Sequence, residues 1–219
     1  MVRQLADGAW DLEFKDVNLA VIIITAIISI LAFYNQELSG RLKFNAYAIR
    51  HHGQGWRFLS YGLIHADWVH LFINMFVLYS FGKAVIEAYH YYFDVKGYLF
   101  YLLLYIGGIG FSVLFDYGKH KDDPDYNAVG ASGAVSAVLF ASILLYPTGS
   151  VYLFPIPFPL PSVVFGVFYL VYSAVMARRA KDNIGHNAHF WGAIFGIAFT
   201  VALKPILAVS FWNQILGLF

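Results

Sequence analysis

Cysteine is absent from the 219-residue chain, which excludes disulfides and thiolate metal sites and leaves the redox compartment undetermined. Charge is nearly as scarce. Asp, Glu, Lys and Arg make up 12% of the residues, about half the share of an ordinary soluble domain. A net charge of +1, with no long basic run, gives no support for nucleic-acid binding. Also missing are an H-E-x-x-H zinc motif and any pair of Asp residues inside an apolar stretch. A zinc site built from His65, His70, His186 and His189 alone would lack the acidic base and the i, i+4 His pair of zinc hydrolases. The sequence therefore implies no metal and no cofactor.

What is abundant is apolar: 60% of the residues are hydrophobic and 19% aromatic. Stretches of the ~20 residues that cross a ~30 Å hydrocarbon layer recur throughout, leaving no room for a separate soluble domain. The chain reads as one membrane domain over residues 1–219. A bilayer forces each span to satisfy its own backbone hydrogen bonds, and the stretches are much longer than barrel strands. An all-α polytopic bundle of six transmembrane helices follows, with spans near residues 18–33, 68–86, 98–114, 132–146, 162–176 and 188–203. Residues 1–17 carry Asp7, Asp11, Glu13 and Asp16, unlike the basic start of a cleaved signal peptide, and are expected to be retained. Lys204-Pro205 breaks the last span, and the tail 204–219 with Trp212 reads as interfacial.

The connection over residues 34–65 is long, at ~30 residues, which marks it as functional or interfacial. It holds Trp56-Arg57 with several Tyr and Phe, a composition suited to headgroup depth. Nine of the Lys and Arg residues fall on the side of the first, third and fifth loops and five on the side of the termini. Taken literally, the positive-inside rule puts the termini outside.

Three constellations carry chemistry. Ser132, in Gly130-Ala131-Ser132-Gly133, opens the fourth span, where orphan backbone N–H groups and the positive end of the helix dipole can stabilise an anion. Gly130 and Gly133 allow a tight turn there. The plain alternative is packing, since Gly133, Ala137 and Ala141 form a smooth stripe. His189 opens the sixth span with Gly192 and Gly196 on its face, so that a neighbouring helix can approach the imidazole closely. Its alternative is a structural His at a helix start, and dimerisation is the less favoured use of Gly192 and Gly196, behind internal packing. His186, three residues earlier, is expected to be solvated. Finally, His70 and Asn74 share a helical face and can both donate to an oxyanion, or else act as interhelical glue.

With Trp56-Arg57, the H-x-x-x-x-H-x-x-x-N pattern of residues 65–74, Gly130-Ala131-Ser132-Gly133 and Ala188-His189-x-x-Gly192-x-x-x-Gly196, the chain resembles the rhomboid family of intramembrane serine proteases. The resemblance implies a six-helix fold, a Ser132 nucleophile and a His189 general base with no third carboxylate. It also implies an oxyanion hole of the Ser132 N–H, His70 and Asn74, a water-accessible cavity below the membrane surface, and substrates that are themselves membrane-spanning proteins. Gly130, Gly133, Gly192, Gly196, Trp56 and Arg57 take supporting roles. The usual family orientation, with a cytosolic N-terminus and an outward-opening site, opposes the literal charge count. The expected location is the plasma membrane of a prokaryote. Relatives often place an aromatic ring, on which the catalytic His packs, four residues after the nucleophile; here that residue is Ser136, leaving Phe140 or a Ser136 hydrogen bond as substitutes. A non-catalytic relative that binds transmembrane clients is the alternative function, and a small transporter using midplane His residues is a third.

Overall fold

In the computed structural model, residues 17–152, 157–179 and 185–217 are described. Expectations for residues 1–16, for Lys181 and for part of the Pro-rich loop before Ser162 lie outside them.

Helix α1 (Val17–Tyr34) leads into the long first connection. That connection is folded into α2 (Gln36–Leu42), α3 (Ala46–His52), α4 (Arg57–Ser60) and a 3₁₀ turn at Tyr61–Leu63. Local side chains start the first two: Asn35 accepts from Leu38 N at 3.0 Å and Asn45 from Ala48 N at 2.7 Å. Gly53, at φ 67°, ends α3 in the left-handed conformation. Then come α5 (Trp68–Phe93), α6 (Lys96–Ser112), α7 (Leu114–His120) and α8 (Ser132–Leu145). A two-residue antiparallel pair that the sequence reading did not anticipate, β1 (Ser150–Val151) with β2 (Leu160–Pro161), precedes α9 (Ser162–Arg179). The chain closes with α10 (His186–Leu203) and α11 (Ile206–Leu216).

Helices occupy every expected span, but they differ in what they could cross. Val17–Tyr34, Trp68–Phe93, Lys96–His120 and Ser162–Arg179 are each long and apolar enough for a membrane. A fifth span results if α10 and α11, bent by 112° at Lys204-Pro205, are taken together. Helix α8 has 14 residues and a length of ~21 Å, below a ~30 Å hydrocarbon layer. Length and apolarity thus support four or five crossings, not the expected six.

Helix α8 is the axis of the bundle, buried at every residue from Gly133 to Leu145. Small side chains permit this. A Cβ on Gly192 of α10 would fall on the Gly133 carbonyl oxygen, and one on Gly196 would fall on that of Ala137. On another face, a Cβ on Gly108 of α6 would lie 2.9 Å from Ala134 Cα. The glycines thus bring α6 and α10 to backbone contact with α8, where dispersion is gained over a long, smooth seam. Helices α1 and α9 are peripheral, with 22% and 17% of their spans buried. The tail helix touches the axis from below, where Gln214 Nε2 donates to the Leu145 carbonyl at 3.3 Å and so caps the end of α8.

Candidate active site

Ser132 begins α8 directly after Ala131, which offers no side-chain cap. The first N–H groups of the helix are therefore left without the partner that a Ser, Asp or Asn would supply. The segment before it is fixed through its backbone by the first connection. Phe44 N donates to the Ala128 carbonyl at 2.9 Å, the Phe44 carbonyl accepts the Ala128 N–H at 3.1 Å, and Gly130 N donates to the Tyr61 carbonyl at 3.0 Å. At Gly130, φ is +116°, a region that side chains disfavour, and a Cβ there would sit 2.6 Å from His70 Cε1. The His70 imidazole thus lies against the Gly130 backbone, two residues from the Ser132 hydroxyl.

His70 is set by the start of α5, where Asp67 Oδ1 accepts the His70 N–H at 2.8 Å. One turn along, buried Asn74 donates from Nδ2 to the His70 carbonyl at 2.8 Å. The amide keeps a second N–H. Beside them, the ring of His65 lies 4.9 Å from that of His70. In the sequence His65 enters through a motif and through the His-only zinc set; in the fold it is buried and bridges three elements. Its Nε2 accepts the Ala131 N–H at 3.4 Å, its Nδ1 pairs with Ser29 Oγ of α1 at 2.9 Å, and Ser29 Oγ donates onward to the Leu63 carbonyl at 2.9 Å. Since Nε2 accepts, the ring proton resides on Nδ1. Burial, with His70 beside it, pulls His65 down to about 3, which keeps the ring neutral and the Nε2 lone pair available.

His189 stands in the first turn of α10, one residue after Ala188, whose carbonyl oxygen a Cβ on Gly133 would approach to 3.4 Å. The seam of Gly133 and Gly192 therefore brings the turn bearing His189 alongside the turn bearing Ser132. Among the described residues no hydrogen bond joins the two side chains. Buried Asp116 of α7 anchors the same turn by accepting from Asn187 Nδ2 at 2.5 Å. His186 corrects an expectation. It is 4% exposed instead of solvated, with its ring 5.9 Å from His189 and 5.4 Å from Tyr172. The His-x-x-His and Tyr-x-x-Tyr spacings of α10 and α9 were the available signal, since both put residues on one helical face.

Of the two residues in the first connection, Arg57 is buried and structural. It donates to Gln54 Oε1 at 2.6 Å and to the Gly40 and Lys43 carbonyls at 3.0 and 2.6 Å, closing α2 onto α4. Trp56 is 57% exposed and takes no part in that closure.

A model of the rhomboid domain matches residues 52–206, a stretch holding all four motifs. RHOMBOID-like protein 12, mitochondrial, of Arabidopsis thaliana is 30% identical over 144 residues, which cover 59% of this chain and 40% of that protein. Rhomboid-related protein 1 of Caenorhabditis elegans is 30% identical over 155 residues, covering 67% of this chain and 39% of that one. The match thus spans about two fifths of the length of each relative. A plant mitochondrial protein and a nematode protein lend no support to the expected prokaryotic plasma membrane. Matched over most of its length and built around several helices fit to cross a bilayer, the chain is an integral membrane protein that belongs to the rhomboid family.

Proposed function

We propose that the protein is an intramembrane serine endopeptidase that hydrolyses peptide bonds in or next to the transmembrane helices of membrane-protein substrates. The observation that carries this reading is the backbone contact of Gly192 with Gly133, which brings the turn of His189 beside that of Ser132 while the His70 ring lies against Gly130. In this reading all six long helices cross the bilayer. Helix α8, at ~21 Å, is shorter than the ~30 Å hydrocarbon layer, and the connections at its ends complete its crossing, which leaves its N-terminal Ser132 below the surface.

Ser132 Oγ attacks the scissile carbonyl as His189 takes its proton, forming a tetrahedral oxyanion. The Ser132 N–H at the uncapped start of α8, the His70 ring and the free N–H of the Asn74 amide are the donors for that charge. His189 then gives the proton to the leaving amine, and the acyl-enzyme forms. Water, deprotonated by His189, attacks the ester; collapse of the second intermediate returns the proton to Ser132 Oγ and releases the acid. An intact substrate helix buries its carbonyls in hydrogen bonds, so the segment must unwind first, and small or helix-destabilising residues are favoured at the cleavage site.

Labelling with a fluorophosphonate tests the reading. Wild type in liposomes should label and should cleave a reporter transmembrane substrate. Ser132→Ala should do neither, and His189→Ala should lose cleavage while eluting as a folded protein. Equal labelling of wild type and Ser132→Ala, or undiminished cleavage by Ser132→Ala, would sink the assignment. A folded wild type that neither labels nor cleaves would point to the non-catalytic client binder.

A further inference from the structure

The chain lacks an aromatic ring four residues after Ser132, and the structure shows what fills the space. Ser136 is buried on the face of α8 that carries Ser132, one turn on, and its hydroxyl is 2.6 Å from the Tyr169 hydroxyl of α9. The Tyr169 ring lies 6.2 Å from the His189 ring at an interplanar angle of 31°. Phe140 and Phe165 hold Tyr169 from the sides, with centroids 5.5 and 5.9 Å away. Neither expected substitute therefore acts as anticipated. Phe140 packs on Tyr169, and the hydrogen bond of Ser136 goes to Tyr169.

We propose that Tyr169, locked by its hydrogen bond to Ser136, is the positioning residue that seats the His189 imidazole against Ser132, an aromatic support delivered from α9 instead of α8. The proposal rests on the protease reading above for its kinetic consequence but not for its geometry. Three features make the seat specific. Helix α9 has little other packing, with 17% of its span buried. Below Tyr169 it borders an apolar cavity of about 140 Å³ lined by Phe140, Ile143, Gly166, Leu170 and Ile197, so its apolar face is not closely filled there. The polar contact of Tyr169 with Ser136 is thus the fixed point on α9 nearest the base. Antiparallel running of the two helices also matches Tyr169 with His189 and Tyr172 with His186, so a one-residue turn of α9 would remove both partners. A ring at this distance restricts the rotamers of the imidazole, and orientation of a base is worth rate without being worth affinity.

The test uses the full chain in liposomes or detergent. Tyr169→Ala should lower kcat by about tenfold or more with KM unchanged, and Tyr169→Phe, which keeps the ring, by about two- to fivefold. Ser136→Ala should match Tyr169→Phe, and the two together should cost no more than either alone, because they remove the same hydrogen bond. Ser136→Phe combined with Tyr169→Ala, which returns a ring from α8, should recover at least half of the lost kcat. Wild-type kcat in Tyr169→Ala, or a loss confined to KM, overturns the proposal. Should wild type prove inert to fluorophosphonate, the protease reading fails while the seat remains decidable. The ring resonances of His189, identified by their loss in His189→Gln, should shift in Tyr169→Ala, and unshifted resonances in a folded Tyr169→Ala refute the seat.

Discussion

The two halves of the candidate site are held by different forces. On the side of Ser132, residues 128–131 are tied down through backbone groups, at Phe44, at Tyr61 and at the ring of His65. On the side of His189, α10 reaches its place because side chains are missing at Gly192 and Gly196, and its first turn is trimmed by Asn187 on Asp116 and by Tyr169 near His189. Backbone pairing tolerates change in the side chains that flank it. Close helix approach does not, because a single methyl group meets a carbonyl oxygen.

Breaking the close approach should have the largest effect. Gly192→Val forces α10 away from Gly133 and should lower stability by about 3 kcal/mol or more, with loss of Ser132 labelling. Thermal unfolding in detergent measures it, and an unchanged Tm would remove the distinction between the two halves.

A smaller effect is expected from acid on the Ser132 side. His65 has a folded pKa below its unfolded value, about 3 against about 6.5. The unfolded chain therefore binds the extra proton between those values, so this contribution to stability is present above pH ~6.5 and is lost as pH falls toward 3. Protonated His65 cannot accept the Ala131 N–H. In His65→Gln, which does not titrate, Tm should start lower at neutral pH and fall less steeply across that window. Parallel Tm profiles for the two proteins would show that His65 is not the group responsible.

The smallest effect is expected at Trp56. It is exposed beside the buried Arg57, so Trp56→Ala should change stability in detergent by no more than about 0.5 kcal/mol. A drop of several degrees in Tm would mean that the exposed indole, and not only Arg57, braces the first connection.

Local patterns were legible before the fold. Long apolar runs marked each of the main helices, Lys204-Pro205 marked the break before α11, and the Gly133, Ala137 and Ala141 stripe marked a smooth packing face. His70 with Asn74 and His189 with Gly192 were legible because a helix puts residues three, four and seven apart on one face. The first connection was legible only as long and aromatic. Two of its three short helices depend on caps at Asn35 and Asn45, and its bond to residues 128–131 joins chain segments some 80 residues apart. His186 was misread as solvated because position in a loop says nothing about which tyrosines another helix will bring.

By itself, the sequence determined a helical membrane protein with a serine, a histidine and an Asn–His pair at helix starts, since period, composition and spacing are properties of neighbouring residues. Only the tertiary structure decided that Ser136 holds a tyrosine from α9, that His65 supports the residue before Ser132, and that α8 is the buried axis. Those outcomes depend on which faces meet when helices pack, and that is set by the fit of whole surfaces, not by any local run of residues.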